Sequence, residues 1–435
     1  MTEYPAELPI DTWSGAPPRA AVRIPGSKSL TNRALIIAAM ADGPSVLTGA
    51  LDCDDTRVMV DSLKRLGINV EHDAASATIR VPGCGGSIPA REASLEVGNS
   101  GTSLRFLTAM LATGRGTYHL DGTPRMRQRP VADLLGALNG LGADARSDLG
   151  TGCPPVTIEA SGLDGGFAFV KGDVSSQFLS GLLMALPYSR DLTTVEVQGP
   201  LVSQPYVSMT MAVMKAFDVT IENRKFRRFD VRPAHYRGRE YVIEPDASAA
   251  SYFFALAAVL GGTVTVEGLG GSSLQGDMAF ADVLEYMGCT VAREPGRTTV
   301  TGGPLRSVDA DMNAMSDTVM TLGVVALFAD GVSRIRNVAH IRHKESDRIA
   351  ALAAELRKLG AAVEELPDGL VINPPPADRL HGAAIATYDD HRMAMSFAIA
   401  GLRIPGVTIL DPGCVAKTYP GFWDDLRALR EGARR

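Results

Sequence analysis

Asp61-Ser-Leu-Lys-Arg-Leu-Gly-Ile-Asn-Val70 joins the end of a helix to the start of a strand. Leu63 and Leu66 recur at helical spacing and make one buried stripe, Gly67 supplies the left-handed turn that stops the helix, and β-branched residues follow at once. The same design returns at Gly136-Ala-Leu-Asn-Gly-Leu-Gly-Ala-Asp-Ala145, Ala212-Val-Met-Lys-Ala-Phe-Asp-Val-Thr-Ile221, Asp282-Val-Leu-Glu-Tyr-Met-Gly-Cys-Thr-Val291 and Ala354-Glu-Leu-Arg-Lys-Leu-Gly-Ala-Ala-Val363. Asp424-Asp-Leu-Arg-Ala-Leu-Arg-Glu431 reads as a last helix whose strand is missing. The copies lie roughly 70–75 residues apart, longer than solenoid periods, so each repeat holds several strands and helices of an α/β array.

A chain of 435 residues, 45% hydrophobic and 21% charged, exceeds what one core usually supports. Six repeats therefore suggest two domains of three. The pattern lapses into charge from Asn223-Arg-Lys-Phe-Arg-Arg-Phe-Asp230 to Arg237-Gly-Arg-Glu240, and again at Gly15-Ala-Pro-Pro-Arg19. Those two places are either domain crossings, with the first residues belonging to the later domain, or surface loops of one globule.

A formal net charge of −6 disfavours binding to a nucleic-acid backbone or an anionic membrane, so any anion site must be local. No apolar run is long enough to span a bilayer, and Met1-Thr-Glu-Tyr-Pro5 has no secretory character, which points to the cytosol. Cys53, Cys84, Cys153, Cys289 and Cys414 are scattered, odd in number and without a Cys-x-x-Cys pair, so they read as reduced structural thiols and not as a metal site.

Pro25-Gly-Ser-Lys-Ser-Leu-Thr-Asn-Arg33 enters the apolar helix Ala34-Leu-Ile-Ile-Ala-Ala-Met40 as a Gly/Ser loop. Lys28 and Arg33 add positive charge where the helix dipole already favours an anion, although an ordinary helix cap reads the same way. It is not a P-loop, because the glycine spacing before the lysine is absent. Gly98-Asn-Ser-Gly-Thr-Ser-Leu-Arg105 repeats the arrangement ahead of Phe106–Ala112, and Gly101 would permit close approach by a ligand. In Pro124-Arg-Met-Arg-Gln-Arg-Pro130 three arginines alternate, which on an extended stretch would turn Arg125, Arg127 and Arg129 to one face. Asp173-Val-Ser-Ser-Gln-Phe178 and Leu201-Val-Ser-Gln-Pro-Tyr206 offer neutral donors suited to polyol or phosphate oxygens.

The second half is denser: Met315-Ser-Asp-Thr318, His340-Ile-Arg-His-Lys-Glu-Ser-Asp-Arg348, Asp389-Asp-His-Arg392 and Lys417. Lys344 and Arg348 fall four apart beside Glu345, so a helix here would gather cations near a carboxylate; an exposed ion-pair face is the plainer reading. The histidines lack a metal-binding spacing.

In their order along the chain, Pro25–Arg33, Gly98–Arg105, Pro124–Pro130, Ser175–Gln177, Lys344–Arg348, Asp390–Met393 and Ala416–Thr418 resemble the 5-enolpyruvylshikimate-3-phosphate synthase family. The resemblance implies an α/β fold, a two-domain inside-out α/β barrel of three βαβαββ repeats per domain, with the active site in the interdomain cleft. It would place the domains at 24–240 and at 1–23 plus 241–435. The substrates implied are shikimate 3-phosphate, whose 5-hydroxyl attacks C2 of phosphoenolpyruvate while C3 takes a proton, and phosphoenolpyruvate itself, whose phosphate is then lost. No metal or organic cofactor is called for, and a monomer is expected.

Carried over position by position, Lys28, Ser29, Arg33, Ser175, Ser176, Gln177, Ser203, Tyr206, Asp317, His340 and Lys344 resemble the family's shikimate 3-phosphate contacts. Lys28, Gly101, Arg129, Gln177, Glu345, Arg348, His391, Arg392 and Lys417 resemble its phosphoenolpyruvate contacts, with Asn99 and Thr102 close by. By the same resemblance Asp317 is the base for the hydroxyl, Glu345 the proton donor and acceptor at C3, and Lys28 a proton-transfer and charge-stabilising partner. Gly101 at its position implies sensitivity to glyphosate. Two residues depart from the family's common pattern: His340 where Asn is usual, whose contact would depend on protonation between pH 6 and 8, and Phe106 where many members have Pro. The rivals are the enolpyruvyl transferase acting on UDP-N-acetylglucosamine, whose catalytic cysteine loop is not visible, and a silent anion-binding scaffold, which Lys28, Asp317 and Glu345 together disfavour.

Overall fold

The computed structural model describes residues 4–432. Its helices are α1 (Lys28–Met40), α2 (Asp54–Arg65), α3 (Gly101–Ala112), α4 (Ala132–Gly140), α5 (Ser176–Ala185), α6 (Gln204–Ala216), α7 (Ala247–Leu260), α8 (Phe280–Tyr286), α9 (Val319–Ala326), α10 (Arg348–Lys358), α11 (His391–Gly401) and α12 (Phe422–Gly432). Odd and even helices differ in composition, and that difference decides their place. α1, α3, α5, α7, α9 and α11 are apolar or small nearly all round, so every face must be covered: all of α3 and α11 is buried, as is all of α1 except Ser29. The even helices are one-sided. In α2, Met59, Val60 and Leu63 are buried while Asp54, Lys64 and Arg65 face water.

The complete repeat is seen in Glu92–Glu96, α3, Gly116–Asp121, α4, Asp144–Ser147 and Val156–Ala160. Its first two strands pair in parallel through the α3 crossover, the later ones antiparallel, in the spatial order first, second, fourth, third. Strand residues alternate between exposed and buried, as in Glu92–Glu96, so each sheet keeps one wet face and packs the other on helices. The left-handed turn after the helix is taken by Gly67, Gly142, Gly288 and Gly360, and in the third copy by Asp218 at φ +68°. Aspartate is among the few residues other than glycine that enter this region readily.

Contacts divide the chain into one unit of Met1–Pro25 with Pro245–Arg435 and another of Gly26–Glu244. Each has three sheets over three inner helices. The two leading strands are exchanged. Arg19–Arg23 runs into α1 but pairs in parallel with Thr263–Glu267, while Glu240–Val242 runs toward α7 but pairs in parallel with Ser45–Thr48. That second strand completes the sheet of the first repeat. Among the described residues no hairpin follows α12, and Glu7–Pro9 pairs antiparallel with Thr408–Leu410 to make a three-stranded sheet.

Candidate active site

In the Gly26–Glu244 unit the charged and hydroxyl residues sit at the first turns of buried helices, where unpaired amides point outward. α1 begins at Lys28, capped by Ser27, so Lys28, Ser29 and Arg33 lie on the helix and not on a loop before it. Lys28 is buried, with Nζ 3.3 Å from Asp55 Oδ2. Ser29 is partly exposed beside it. Arg33 is only 1% exposed. It donates through Nε to Thr210 Oγ1 (2.7 Å), through Nη1 to the Ser29 carbonyl (2.9 Å) and through Nη2 to the Tyr206 carbonyl (3.2 Å), with the Phe106 and Tyr206 rings against its plane. Burial pulls its pKa down to about 10, and it joins α1 to α6.

α3 begins at Gly101 under the cap Ser100. A Cβ there would lie 2.3 Å from Arg129 Nη2 and 2.6 Å from Arg105 Nη1. Arg129, 4% exposed, donates Nη1 to the Asn99 carbonyl at 2.9 Å, and Arg105 donates Nη2 to the Pro130 carbonyl at 2.8 Å. Thr102 accepts from Asn32 Nδ2 at 3.0 Å, tying α3 to α1. The three alternating arginines do not share a face: a 3-10 turn at Met126–Gln128 sends Arg127 outward to Asp121 and leaves only Arg129 buried. Ser175 caps α5 by accepting from the Gln177 amide (3.2 Å), Ser176 is buried, and Gln177 is half-buried. Ser203 immediately precedes α6 in a left-handed conformation (φ +52°), with Tyr206 one turn on.

In the other unit a buried charge cluster is drawn from three helix starts. Asp317, just before α9, accepts from Lys344 Nζ (2.5 Å) and Arg348 Nη1 (3.0 Å) on Oδ1, and from Arg392 Nη2 (2.7 Å) on Oδ2. Burial alone would raise its pKa, but Arg392, Lys344 and Arg348 outweigh burial and hold it well below the usual carboxylate range. Arg348, the first residue of α10 and 1% exposed, also donates Nη2 to Glu345 Oε2 and Nε to Asp390 Oδ2, both at 2.8 Å. Burial pulls on its charge, yet Asp390, Glu345 and Asp317 raise its pKa. Burial also lowers Lys344, with Asp317 opposing. Lys344 precedes the helix, so Lys344 and Arg348 form no i,i+4 surface pair; both converge on Asp317.

Asp390 is fully buried and caps α11 by accepting from the Arg392 amide (3.0 Å). His391 lies buried in that first turn, with Nδ1 3.8 Å from Asp390 Oδ1, and Lys417 ends a 3-10 turn at 9% exposure. His340 is 6% exposed, and burial, then Lys344, lower its pKa to about 3. The expected titration of its contact between pH 6 and 8 therefore does not arise: the imidazole is neutral throughout that range.

Two acidic residues beside these groups escaped the sequence reading. Asp55, the partner of Lys28, looks in sequence like any first-turn carboxylate of α2. Asp277, hydrogen-bonded by Ser248 at the start of α7, looks like a loop acid after a glycine. Burial, then Asp317, push Asp277 up to about 6.

The same architecture is found in known proteins. The solved EPSP synthase from Acinetobacter baumannii superposes with a TM-score of 0.80 at 25% identity, covering 97% of this chain and 98% of that one. The enolpyruvyl transferase NikO from Streptomyces tendae, at 20% identity and a TM-score of 0.78 over 98% of both chains, shares the fold. The repeats and their exchanged strands thus define an enolpyruvyl transferase fold: a two-domain inside-out α/β barrel, three βαβαββ units per domain. A family model described as EPSP synthase (3-phosphoshikimate 1-carboxyvinyltransferase) matches residues 14–426. The 3-phosphoshikimate 1-carboxyvinyltransferase of Trichormus variabilis is 48% identical over 409 residues, covering 94% of this chain and 95% of that one. The chain belongs to the EPSP synthase family. Among the described residues, no helix is long and apolar enough to cross a membrane.

Proposed function

We propose that the chain transfers the enolpyruvyl group of phosphoenolpyruvate to the 5-hydroxyl of shikimate 3-phosphate and releases phosphate, a step of the shikimate pathway toward aromatic amino acids. The observation that carries the chemistry is the convergence of Lys344, Arg348 and Arg392 on the single carboxylate of Asp317. Three cations around one carboxylate, Arg348 and Arg392 buried and Lys344 partly so, suit substrates that bring a phosphate and a carboxylate of their own.

In this reading Lys28, Ser29, Arg33, Ser175, Ser176, Gln177, Ser203, Tyr206, Asp317, His340 and Lys344 hold shikimate 3-phosphate. Lys28, Gly101, Arg129, Gln177, Glu345, Arg348, His391, Arg392 and Lys417 hold phosphoenolpyruvate, and the two sets work on one pair of substrates. Arg33 serves chiefly by fixing Ser29 and Tyr206, since its donors already reach those residues. Before substrates bind, Asp317 is a weak base because three cations neutralise it. Anionic substrates at Arg348, Arg392 and Lys344 share those cations and return proton affinity to Asp317, which then accepts the 5-hydroxyl proton as oxygen bonds to C2. Glu345, on Arg348 Nη2, delivers the proton to C3. It takes that proton back as the C2–O bond to phosphate breaks, and the hydroxyl proton held by Asp317 passes to the departing phosphate. Lys28 compensates the charge that develops, with Asp55 setting its position.

The UDP-sugar reaction would need a reactive thiol, whereas burial and Asp55 push the Cys53 thiol up to about 12. We place the enzyme in the cytosol, where five free thiols would stay reduced. A monomer is the expected state, because one chain supplies every candidate residue. A coupled phosphate-release assay with each acceptor tests the reading: release with shikimate 3-phosphate alone is expected, and release only with the UDP-sugar, or with neither, overturns it.

A further inference from the structure

Tyr388 (φ +56°) and Asp389 (φ +54°) are consecutive left-handed residues, neither a glycine, immediately before the α11 cap Asp390. Aspartate enters that conformation readily, but for Tyr388 it is costly and persists only where the surroundings impose it. The surroundings here are one carboxylate. Glu355, in the middle of α10 and 0% exposed, accepts the Tyr388 hydroxyl at 2.7 Å and the Ala386 amide at 3.1 Å. Lys358 Nζ, 2.7 Å away, balances its charge.

The bend ends in the site. The Asp390 amide donates to the Thr387 carbonyl at 2.9 Å, closing the bend onto the cap. One Asp390 oxygen then accepts the Arg392 amide at 3.0 Å while the other accepts Arg348 Nε at 2.8 Å. The direction in which the first turn of α11 leaves the bend thus sets where Arg392 Nη2 meets Asp317, at 2.7 Å. A bend free to relax to ordinary backbone would swing that turn. Tyr388 is 45% exposed, so its hydroxyl contact, and not core packing, is what ties it down. Burial and then Glu355 push that hydroxyl up to about 12, so it remains a donor at physiological pH.

We propose that Glu355 and Tyr388 are positioning residues for phosphoenolpyruvate: through the strained Tyr388-Asp389 bend they fix the bearing of Arg392, without touching the reacting atoms. This rests on the reading of Arg392 as a phosphoenolpyruvate contact. A buried glutamate that served only to stabilise α10 through Lys358 would leave substrate affinities alone.

Tyr388→Phe removes one exposed-ring hydroxyl and should leave folding intact. The KM for phosphoenolpyruvate should rise about three- to tenfold, the effect of one lost hydrogen bond, with the KM for shikimate 3-phosphate within about twofold of the parent. Glu355→Gln keeps an acceptor for Tyr388 and should stay near the parent, whereas Glu355→Ala should behave like Tyr388→Phe or worse. Unchanged phosphoenolpyruvate KM in Tyr388→Phe, or both KM values rising in step, overturns the proposal. Arg392→Gln separates the two levels. If it leaves the phosphoenolpyruvate KM unmoved, the reading of Arg392 falls and the proposal with it; if it raises that KM while Tyr388→Phe does not, only the positioning role falls.

Discussion

Gly101 and Arg129 are in such close apposition that a methyl group on Gly101 would overlap the Arg129 guanidinium, 2.3 Å from Nη2. The glycine is needed for the space it leaves and not for its backbone freedom, since it is the first residue of a regular helix. In Gly101→Ala, Arg129 must move, and the KM for phosphoenolpyruvate should rise about tenfold, the effect of a weakened charge-assisted contact. The parent enzyme should be inhibited by glyphosate in competition with phosphoenolpyruvate, and the variant less so. Steady-state inhibition patterns decide both points, and a resistant parent with normal turnover would remove Gly101 from the pocket.

Asp317 holds the charge balance of its unit. Asp317→Ala should lower kcat by about 10²–10⁴-fold, the usual range for a lost general base, while substrate KM values change far less. Loss of binding with turnover preserved would instead make Asp317 a positioning residue. Because its pKa is depressed in the folded state, its contribution to stability is present above the unfolded value of about 3.9 and is lost as pH falls below that. Urea midpoints of parent and Asp317→Asn should therefore converge in acid.

Asp277 has the opposite sign. Raised to about 6 by burial and by Asp317, it favours the fold while protonated, and that contribution fades as pH rises from about 4 through 6. Asp277→Asn stays neutral and can still accept from Ser248, so it should gain stability relative to the parent at pH 8 but not at pH 4. The gain is on the order of 2–3 kcal/mol. Urea denaturation at the two pH values measures it.

His340 is neutral well below physiological pH. His340→Asn should leave the pH dependence of shikimate 3-phosphate binding unchanged between pH 6 and 8. A titration near pH 6.5 present in the parent and missing in the variant would show that the imidazole charges after all.

Local chemistry carried a great deal of this protein. A stripe of leucines ending in Gly67, Gly142, Gly288 or Gly360 is a short-range signal, so the repeats could be counted along the chain. The all-round apolar runs of α3 and α11 likewise announce burial without reference to any neighbour. Motif order also carried the family resemblance that names Lys28, Gly101, Asp317 and Arg348. Pairing across the chain is another matter. No local pattern tells that Arg19–Arg23 pairs with Thr263–Glu267 rather than with the strand nearer in sequence, because register depends on which surfaces meet in space. Charge state is decided the same way: Asp277 and Asp317 are both aspartates in sequence, and only the cations gathered around one and the burial of the other drive their proton affinities apart.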